Sequence, residues 1–250
     1  IEDFDPLFAA LKGRYRITAY DRPGQGFSSA TGAQYSVAHN AYIANQLIQK
    51  LQLRNVIVIG HSYGGTTALQ MAMDKSPGIR GYVTIAAPGI PDAIKDPLYN
   101  IVALPVLGKG VIEASGWAGN ALAKHEIASG LRDAFYPNDE YNTENFNNYH
   151  EQLWLQPTVT RAIALEILQM NIDLKAMQAR YHDINAPVTV IQGEQDKLVN
   201  VTHSDYLVSA IPGAQRILLP NTGHYVQFAR TNEVVQAIDQ QARTVANAAF

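Results

Sequence analysis

The sequence predicts an α/β fold in which helices flank a mostly parallel central sheet, with a helical subdomain inserted into it. Two observations support this prediction. Runs of β-branched residues alternate with amphipathic helical segments over residues 1–88 and again over 185–250, a pattern that is typical of a parallel sheet. Between these stretches, residues 89–184 contain no clear strand and are too long for a loop, so we expect them to form a helical cap.

The composition limits the functions that need to be considered. Hydrophobic residues make up 47% of the 250-residue chain, which is enough to bury a large core. The net charge of −3 provides no basic face, so we expect no nucleic-acid partner. The absence of cysteine excludes thiol chemistry and leaves the redox compartment open. No run of 18 apolar residues occurs, so we expect no membrane span in this chain.

The first elements are read from periodicity and turn residues. Residues 1–13 are expected to form a helix with one apolar side, followed by a strand over 14–20 and a turn-rich loop over 21–28. Ser36 can then cap a second helix. The apolar stripe of that helix recurs at alternating spacings of four and three residues: Val37, Ala41, Ala44, Ile48 and Leu51.

Residues 55–75 form the unit around which the rest of the chain is organised. The four β-branched residues from Val56 to Ile59 predict a strand buried on both faces, and the stripe from Thr66 onward predicts a helix. Between them lies Gly60-His61-Ser62-Tyr63-Gly64, in which the two glycines are expected to relieve the crowding of a sharp turn. The Ser62 hydroxyl would then lie at the amino end of a helix, where backbone N–H groups can stabilise an oxyanion.

The remaining elements follow the same alternation. A strand is expected over 81–87, and the best helix of the 89–184 segment is expected over 160–177, with Ile163, Ile167, Met170 and Leu174 on one face. After the insert we expect a strand over 188–192, a helix near 202–210, a strand over 215–219 and a final helix from about Asn232. The insert is rich in aromatic residues: Trp117, Phe135, Tyr136, Tyr141, Phe146, Tyr149 and Trp154.

A serine hydroxyl is a poor nucleophile at neutral pH and needs a base within reach. Of the seven histidines, His224 is favoured because it follows the 215–219 strand at the carboxyl edge of the sheet, where ligands bind in open α/β folds. His61 is expected to be structural, with its side chain pointing away from the turn. The other five are expected to be surface or core residues: His39, His125, His150, His182 and His203.

The group that orients this base should follow another strand. Asp196 comes a few residues after the 188–192 strand, with Glu194 as the near alternative, whereas Asp21 precedes the serine and suits a structural role in its turn. In this hypothesis His224 accepts the Ser62 proton and Asp196 fixes the imidazole tautomer. The N–H of Tyr63, the residue after the serine, donates to the oxyanion.

The sequence predicts neither a cofactor nor a metal. Gly24-Gln25-Gly26 lacks the further residues of a phosphate-binding loop. His125-Glu126 is not a zinc motif, because Ser129 stands where the second histidine should be.

The three motifs together resemble the α/β-hydrolase superfamily, in its serine-nucleophile, esterase- or lipase-like branch with a helical cap. They are Gly60-His61-Ser62-Tyr63-Gly64-Gly65, Gly193-x-x-Asp196 and Gly223-His224, in the chain order Ser, Asp, His. The loop Asp21-Arg22-Pro23-Gly24-Gln25-Gly26-Phe27-Ser28 is similar to the Asp-x-x-Gly-x-Gly-x-Ser loop of that family. The resemblance covers essentially the whole chain and implies a parallel-sheet core, with the 89–184 segment at the family's cap position.

The resemblance also implies leading strands and a His-Gly loop that supplies a second oxyanion donor. No His-Gly pair occurs in residues 1–250. Losing one such donor costs about 10²–10³ in rate. The alternatives are that the chain is a fragment, that the leading strands belong to a separate segment, or that catalysis is impaired. We expect an amino-terminal segment outside these residues.

The leading functional hypothesis is a serine hydrolase that cleaves a carboxylic ester of an apolar small molecule or lipid. The motifs support the reaction type, and the apolar, aromatic insert supports the substrate class. Alternatives that use the same residues are C–C bond hydrolysis, thioester hydrolysis or acyl transfer, and aminopeptidase action. A non-catalytic ligand-binding module on the same fold is the alternative from a different class. The oligomeric state is left open.

Overall fold

The computed structural model describes residues 1–32, 34–91 and 120–247. They contain a four-stranded parallel sheet whose spatial order, β1-β2-β3-β4, follows the chain. The predicted fold class is confirmed. The strands are β1 Val56–His61, β2 Ile79–Ile85, β3 Val188–Gly193 and β4 Gln215–Leu219.

Helices account for most of the remaining described residues. Ser36 caps the second helix as predicted, because its hydroxyl accepts from the His39 N–H at 3.1 Å. No helix in the described part of the chain combines the length and apolar character needed to cross a bilayer. The α-helices are α1 Asp5–Leu11, α2 Val37–Lys50, α3 Tyr63–Met73, α4 Asn120–Phe135, α5 Glu144–Trp154, α6 Pro157–Met177, α7 Val201–Ala210, α8 Val226–Ala229 and α9 Thr231–Asn247. Short 3-10 turns span Glu2–Phe4, Asp139–Tyr141 and Gln178–Asp183.

The sheet separates two apolar cores because successive strand residues point to opposite faces. On β3, for example, Val190 packs into the core formed with α2, α3, α6 and α7, whereas the adjacent Ile191 packs into the core formed with α1 and α9. Both side chains are at most 1% exposed. This burial fixes the register of β3, since a shift by one residue would exchange the two faces.

The strand predicted over residues 14–20 does not form. Residues 16–20 are extended, but they make no main-chain hydrogen bond to any described residue. Residues 16–20 and β1 both line a cleft of about 640 Å³. A strand forms only where a neighbouring strand supplies main-chain hydrogen-bond partners, and among the described residues none does so for residues 16–20.

The same cleft explains why β1 is less buried than its sequence predicts. Val56 to Ile59 are only half-buried, whereas every residue of β3 is buried. Within the described residues β1 pairs with β2 alone, so its other edge faces the cleft. A run of β-branched residues indicates a strand, but it does not reveal whether the strand has neighbours on both sides.

The described residues of the insert, 89–91 and 120–184, contain three α-helices, two 3-10 turns and no strand. Residues 92–119, which include Trp117, lie outside the described residues. The predicted face of α6 is only partly correct, since Met170 and Leu174 are buried but Ile163 and Ile167 are half-exposed.

The buried face of α6 instead includes Glu166, which receives two hydrogen bonds from the Arg22 guanidinium at 2.8 and 2.9 Å. This bidentate ion pair attaches α6 to the loop over residues 21–28. Burial of Glu166 could not be predicted from hydrophobicity because it depends on a partner 144 positions away.

Candidate active site

Ser62 lies at the sharp turn between β1 and α3. Its backbone has φ 50° and ψ −123°, a conformation that costs a residue other than glycine about 1–3 kcal/mol. The Ser62 N–H donates to Ile85 O of β2 at 2.8 Å, which ties the turn to the sheet. The Ser62 hydroxyl makes no hydrogen bond to any described residue.

The two glycines of the motif do not have equivalent roles, which corrects the sequence expectation. A Cβ added to Gly60 would lie 2.2 Å from Gly64 O, so the close approach of strand and helix requires glycine at position 60. A Cβ added to Gly64 would meet no atom within 4 Å. The second crowded position is instead Gly65, where a Cβ would lie 2.5 Å from the Ala87 Cβ.

Tyr63, the residue predicted to donate to an oxyanion, is the first residue of α3. Its N–H has no hydrogen-bond acceptor among the described residues, as expected in the first turn of a helix. Its side chain is held separately, because the hydroxyl donates to Tyr35 O at 3.1 Å and the ring lies 4.7 Å from the Arg22 guanidinium. The free N–H at a helix amino terminus can therefore donate to an anion next to Ser62.

Asp196 is buried after the carboxyl end of β3, and both of its carboxylate oxygens accept two hydrogen bonds. Oδ1 accepts from the N–H groups of Leu198 and Val199, both at 2.8 Å. Oδ2 accepts from Gln192 Nε2 at 2.9 Å and from His224 Nδ1 at 2.8 Å. Burial acts to raise the pKa of Asp196, but the charge of His224 and these donors outweigh it and hold the pKa below its usual value.

His224 lies in the loop after β4, and the structure brings it into contact with Asp196. A carboxylate can only accept, so the shared hydrogen bond requires a proton on Nδ1 and leaves Nε2 of the neutral ring free to accept another proton. Glu194, the alternative to Asp196, is exposed. No hydrogen bond joins His224 Nε2 to the Ser62 hydroxyl in this structure, so the described contacts connect only two of the three predicted residues.

The side chain of His61 was predicted to point away from the turn, but it points toward the site instead. Its ring centroid lies 4.7 Å from that of His224, and its Nε2–H donates to His224 O at 3.1 Å. Burial lowers the pKa of His61 to about 4, and the charge of His224 acts in the same direction. His61 is therefore neutral at pH 7 and does not repel a proton on His224.

His61 and Gln192 make contacts with the site that the sequence did not predict. Gln192 is the residue of β3 that donates to Asp196, and it is completely buried. No sequence motif links Gln192 to Asp196, so their contact could not be predicted. The contact of His61 with the site could have been predicted, because His61 directly precedes Ser62. Both residues contact the predicted site residues and none of the reacting atoms.

Asp21, His203 and His150 make hydrogen bonds to residues other than Asp196 and His224. Asp21 Oδ2 accepts from the Phe27 N–H at 3.3 Å and its carbonyl accepts from the Ser28 hydroxyl, which is consistent with a structural role in the turn. His203 Nδ1 accepts from the Gly89 N–H at 3.1 Å, and His150 Nε2 lies 3.0 Å from Asp3 Oδ1. His39 is half-buried, and His125 and His182 are exposed. Among the residues described, no group of three or more His, Asp or Glu side chains is arranged to hold a metal ion.

An aromatic cluster from the insert and α8 surrounds the His224 loop. Phe135 at the end of α4 stacks on Tyr225, the neighbour of His224, with ring centroids 4.5 Å apart. Such pairs contribute about 0.5–1.5 kcal/mol beyond the area they bury. The cluster comprises Leu131, Ala134, Phe135 and Tyr225, with Ile127, Phe146, Trp154, Leu198 and Phe228 packed against it. One side of the candidate site is therefore apolar.

Known proteins with similar sequences and structures share the fold described above. The sequence model described as "alpha/beta hydrolase fold" matches residues 2–231. An uncharacterized protein of Mycobacterium tuberculosis is 24% identical over 232 residues, which cover 88% of this chain and 65% of that relative. The chain thus spans less than two thirds of that relative's length.

One further relative and one solved structure are matched over more of their own length. The 2-(acetamidomethylene)succinate hydrolase of Mesorhizobium japonicum is 25% identical over 240 residues, which cover 94% of this chain and 81% of the relative. The crystal structure of an alpha/beta hydrolase fold protein from Burkholderia ambifaria is 21% identical and aligns with a TM-score of 0.78 over 95% of this chain and 84% of its own. At this identity the structural likeness concerns the fold alone.

The different surroundings of the two motif glycines give a matched pair of substitutions. We expect Gly60→Ala to lower the free energy of unfolding by about 3 kcal/mol or more, because the new methyl group would overlap main-chain atoms that cannot move independently. We expect Gly64→Ala to change it by less than about 1 kcal/mol, since the methyl group enters open space in a helix. Urea denaturation at pH 7 measures both. Equal effects of the two substitutions would contradict the geometry of the turn.

His61 should make the protein less stable in acid. Its pKa falls from 6.5 to about 4 on folding, so between these pH values the unfolded chain binds more protons and stability decreases as the pH falls. From pH 7 to pH 5 this contribution is about 2 kcal/mol. His61→Gln keeps a hydrogen-bond donor but cannot titrate. Between pH 7 and pH 5 its free energy of unfolding, measured by urea denaturation, should therefore fall by about 2 kcal/mol less than that of the wild-type protein.

The matched control for this substitution is His182→Gln, which removes a histidine whose side chain is 72% exposed. It should show the pH dependence of the wild-type protein. The assignment to His61 is wrong if His61→Gln and wild type lose the same stability between pH 7 and pH 5.

Proposed function

The chain belongs to the α/β-hydrolase family, and from this premise we propose that it is a serine hydrolase that cleaves a carboxylic ester of an apolar small molecule or lipid. The nucleophile is Ser62, the general base is His224, and Asp196 orients that base. The reaction proceeds through an acyl-enzyme on Ser62 and needs no metal or cofactor.

The hydrogen bond between His224 Nδ1 and Asp196 Oδ2 is the observation that supports this proposal most strongly. It is 2.8 Å long, and the side chains are 5% and 0% exposed. A buried carboxylate that accepts from Nδ1 stabilises the imidazolium formed when Nε2 takes a proton. Both groups follow neighbouring strand ends, and the ring of His61 beside Ser62 touches His224.

Acylation begins when the Ser62 oxygen attacks the ester carbonyl carbon and its proton passes to His224 Nε2. The carbonyl oxygen becomes an oxyanion that accepts from the Tyr63 N–H, and an oxyanion donor of this kind contributes about 10²–10³ in rate. The tetrahedral intermediate then expels the alcohol, which takes the proton from His224. Catalytic hydrogen bonds are often long in the free enzyme and tighten when substrate binds, so the Ser62–His224 bond is expected to form in the complex.

Deacylation repeats these steps with water. His224 Nε2 takes a proton from water, the hydroxide attacks the acyl carbon, and the Ser62 oxygen leaves with the proton held by His224. The products are the free carboxylic acid and the regenerated serine. The substrate class is inferred from the apolar character of the insert, whose buried aromatic residues pack beside the His224 loop and give that side of the site an environment suited to an apolar acyl or alcohol group.

The domain organisation belongs to the same proposal. Residues 1–88 and 185–250 form the catalytic core, and residues 89–184 form a helical cap that shields the acyl-enzyme from bulk water. The ion pair between Arg22 and Glu166 supports this arrangement, because it fixes the cap helix α6 to a core loop. Within the described residues the cap packs apolar side chains, such as Phe135, against Tyr225, the neighbour of His224.

The proposal is tested by esterase assays and active-site labelling. The wild-type protein should hydrolyse p-nitrophenyl esters and react covalently with a fluorophosphonate probe. Ser62→Ala should lower kcat/KM by about 10³-fold or more and abolish labelling, because a single triad serine accounts for most of the rate enhancement.

The matched control is Ser209→Ala, since Ser209 is an exposed serine on α7. It should hydrolyse and label like wild type. Equal ester hydrolysis by wild type and Ser62→Ala would contradict the proposal. A wild-type protein that binds esters without hydrolysing them or reacting with the probe would indicate a ligand-binding module instead.

A further inference from the structure

The His224 loop is hydrogen-bonded to the carboxyl end of helix α4 in the insert. The N–H groups of His224 and Tyr225 both donate to Ala134 O, at 2.9 and 3.3 Å. Ala134 belongs to the last turn of α4, where carbonyl groups have no partner within the helix. The insert therefore supplies the acceptor for two N–H groups of the His224 loop, and the loop supplies the donors for a carbonyl group at the end of α4.

Asn138, four residues farther along the insert, holds the same loop with its side-chain amide. Its Nδ2 donates to Asn221 O at 3.1 Å, and its Oδ1 accepts from the Gly223 N–H at 3.3 Å. The contact is close, because a Cβ added to Gly223 would lie 2.0 Å from Tyr136 O. The Asn138 side chain thus hydrogen-bonds to the first and the last of the three residues that precede His224, Asn221 and Gly223.

The opposite side of the His224 main chain is held by the core. Its carbonyl accepts from His61 Nε2 at 3.1 Å. The N–H of His224 is therefore bound by the insert and its C=O by the residue that precedes Ser62. This arrangement leaves little freedom for the backbone from which the imidazole projects.

The insert also contacts the loop that carries Asp196. Lys197 Nζ lies 3.2 Å from Asp133 Oδ1 and 3.7 Å from the centre of the Tyr136 ring. The ion pair is exposed and contributes little on its own. Together with the amide of Asn138, however, it places the turn over residues 133–138 against both loops of the Asp196–His224 pair.

We propose that Asn138 is a positioning residue for His224, and that residues 133–138 are a fixed part of the active centre and not of a moving cover. This inference rests on the proposed function, because it assigns a purpose to the orientation of the general base. Proton transfer depends steeply on placement, and a displacement of about 1 Å can cost about 10²-fold in rate. Asn138 touches neither the reacting atoms nor the imidazole, so it acts through the loop.

The test compares Asn138→Ala, which removes both amide contacts, with Asn138→Gln, which keeps the amide on a longer side chain. We expect Asn138→Ala to lower kcat for a p-nitrophenyl ester by about 10- to 100-fold with KM changed less than about twofold, since the lost positioning matters in the transition state. Asn138→Gln should recover part of the lost kcat. Asn145→Ala, which alters an exposed asparagine on α5, should match wild type.

A second readout does not require turnover. The proton shared by His224 Nδ1 and Asp196 should give a low-field resonance in the NMR spectrum of the wild-type protein, which His224→Gln removes. We expect this resonance to broaden in Asn138→Ala and to remain in Asn145→Ala, at a temperature where thermal unfolding shows both variants folded. If Asn138→Ala does not fold, Asn138→Gln is compared with wild type in the same way.

The outcomes separate this inference from the proposed function. If wild type and Ser62→Ala are equally inactive, the proposed function fails, and the resonance alone then shows whether Asn138 orients His224. Wild-type kcat together with an unchanged resonance in Asn138→Ala overturns the inference while leaving the proposed function intact. A lower melting temperature with unchanged kcat and resonance also overturns it, because Asn138 would then only stabilise the fold.

Discussion

The candidate site depends on the hydrogen bonds that the protein donates to one buried carboxylate, that of Asp196. A buried charge without partners costs several kcal/mol, and removing a partner leaves that cost uncompensated. Asp196 avoids it by accepting from two main-chain N–H groups, from Gln192 and from His224. These donors come from β3, from the loop after it and from the loop after β4, so the pairing of β3 with β4 brings them together. Satisfying the carboxylate also fixes the tautomer of His224.

The second constraint is that His224 is held by its main chain as well as by its side chain. The insert binds its N–H through Ala134, and His61 binds its C=O. His61 can do so at neutral pH because burial keeps it uncharged. The described part of the insert is consequently attached to the core at the site, through the His224 loop, and at a distance from it, through the Arg22–Glu166 pair. These two connections join the described part of the insert to the core at separate places.

The sequence predicted what periodicity and local turn chemistry determine. The family resemblance is confirmed, and β1 to β4, the Ser36 cap and the contact between residues 196 and 224 were read from strand ends and spacing. Prediction from the sequence failed for residues whose contacts are made with partners far away in the chain. The 14–20 strand lacks a neighbour, Glu166 is buried by Arg22, His61 turns toward His224, and Asn138 binds a loop 83 positions later. None of these contacts leaves a periodic signal in the sequence.

The central claim is that Ser62, His224 and Asp196 act as one unit, in which Ser62 transfers its proton to His224. The most direct test is a crystal structure of the protein after reaction with a fluorophosphonate. The account predicts phosphonylation of Ser62, with His224 Nε2 within about 2.6–3.2 Å of the Ser62 oxygen and Nδ1 still bound to Asp196. An adduct in which the imidazole points away from Ser62, beyond the reach of proton transfer, would contradict it.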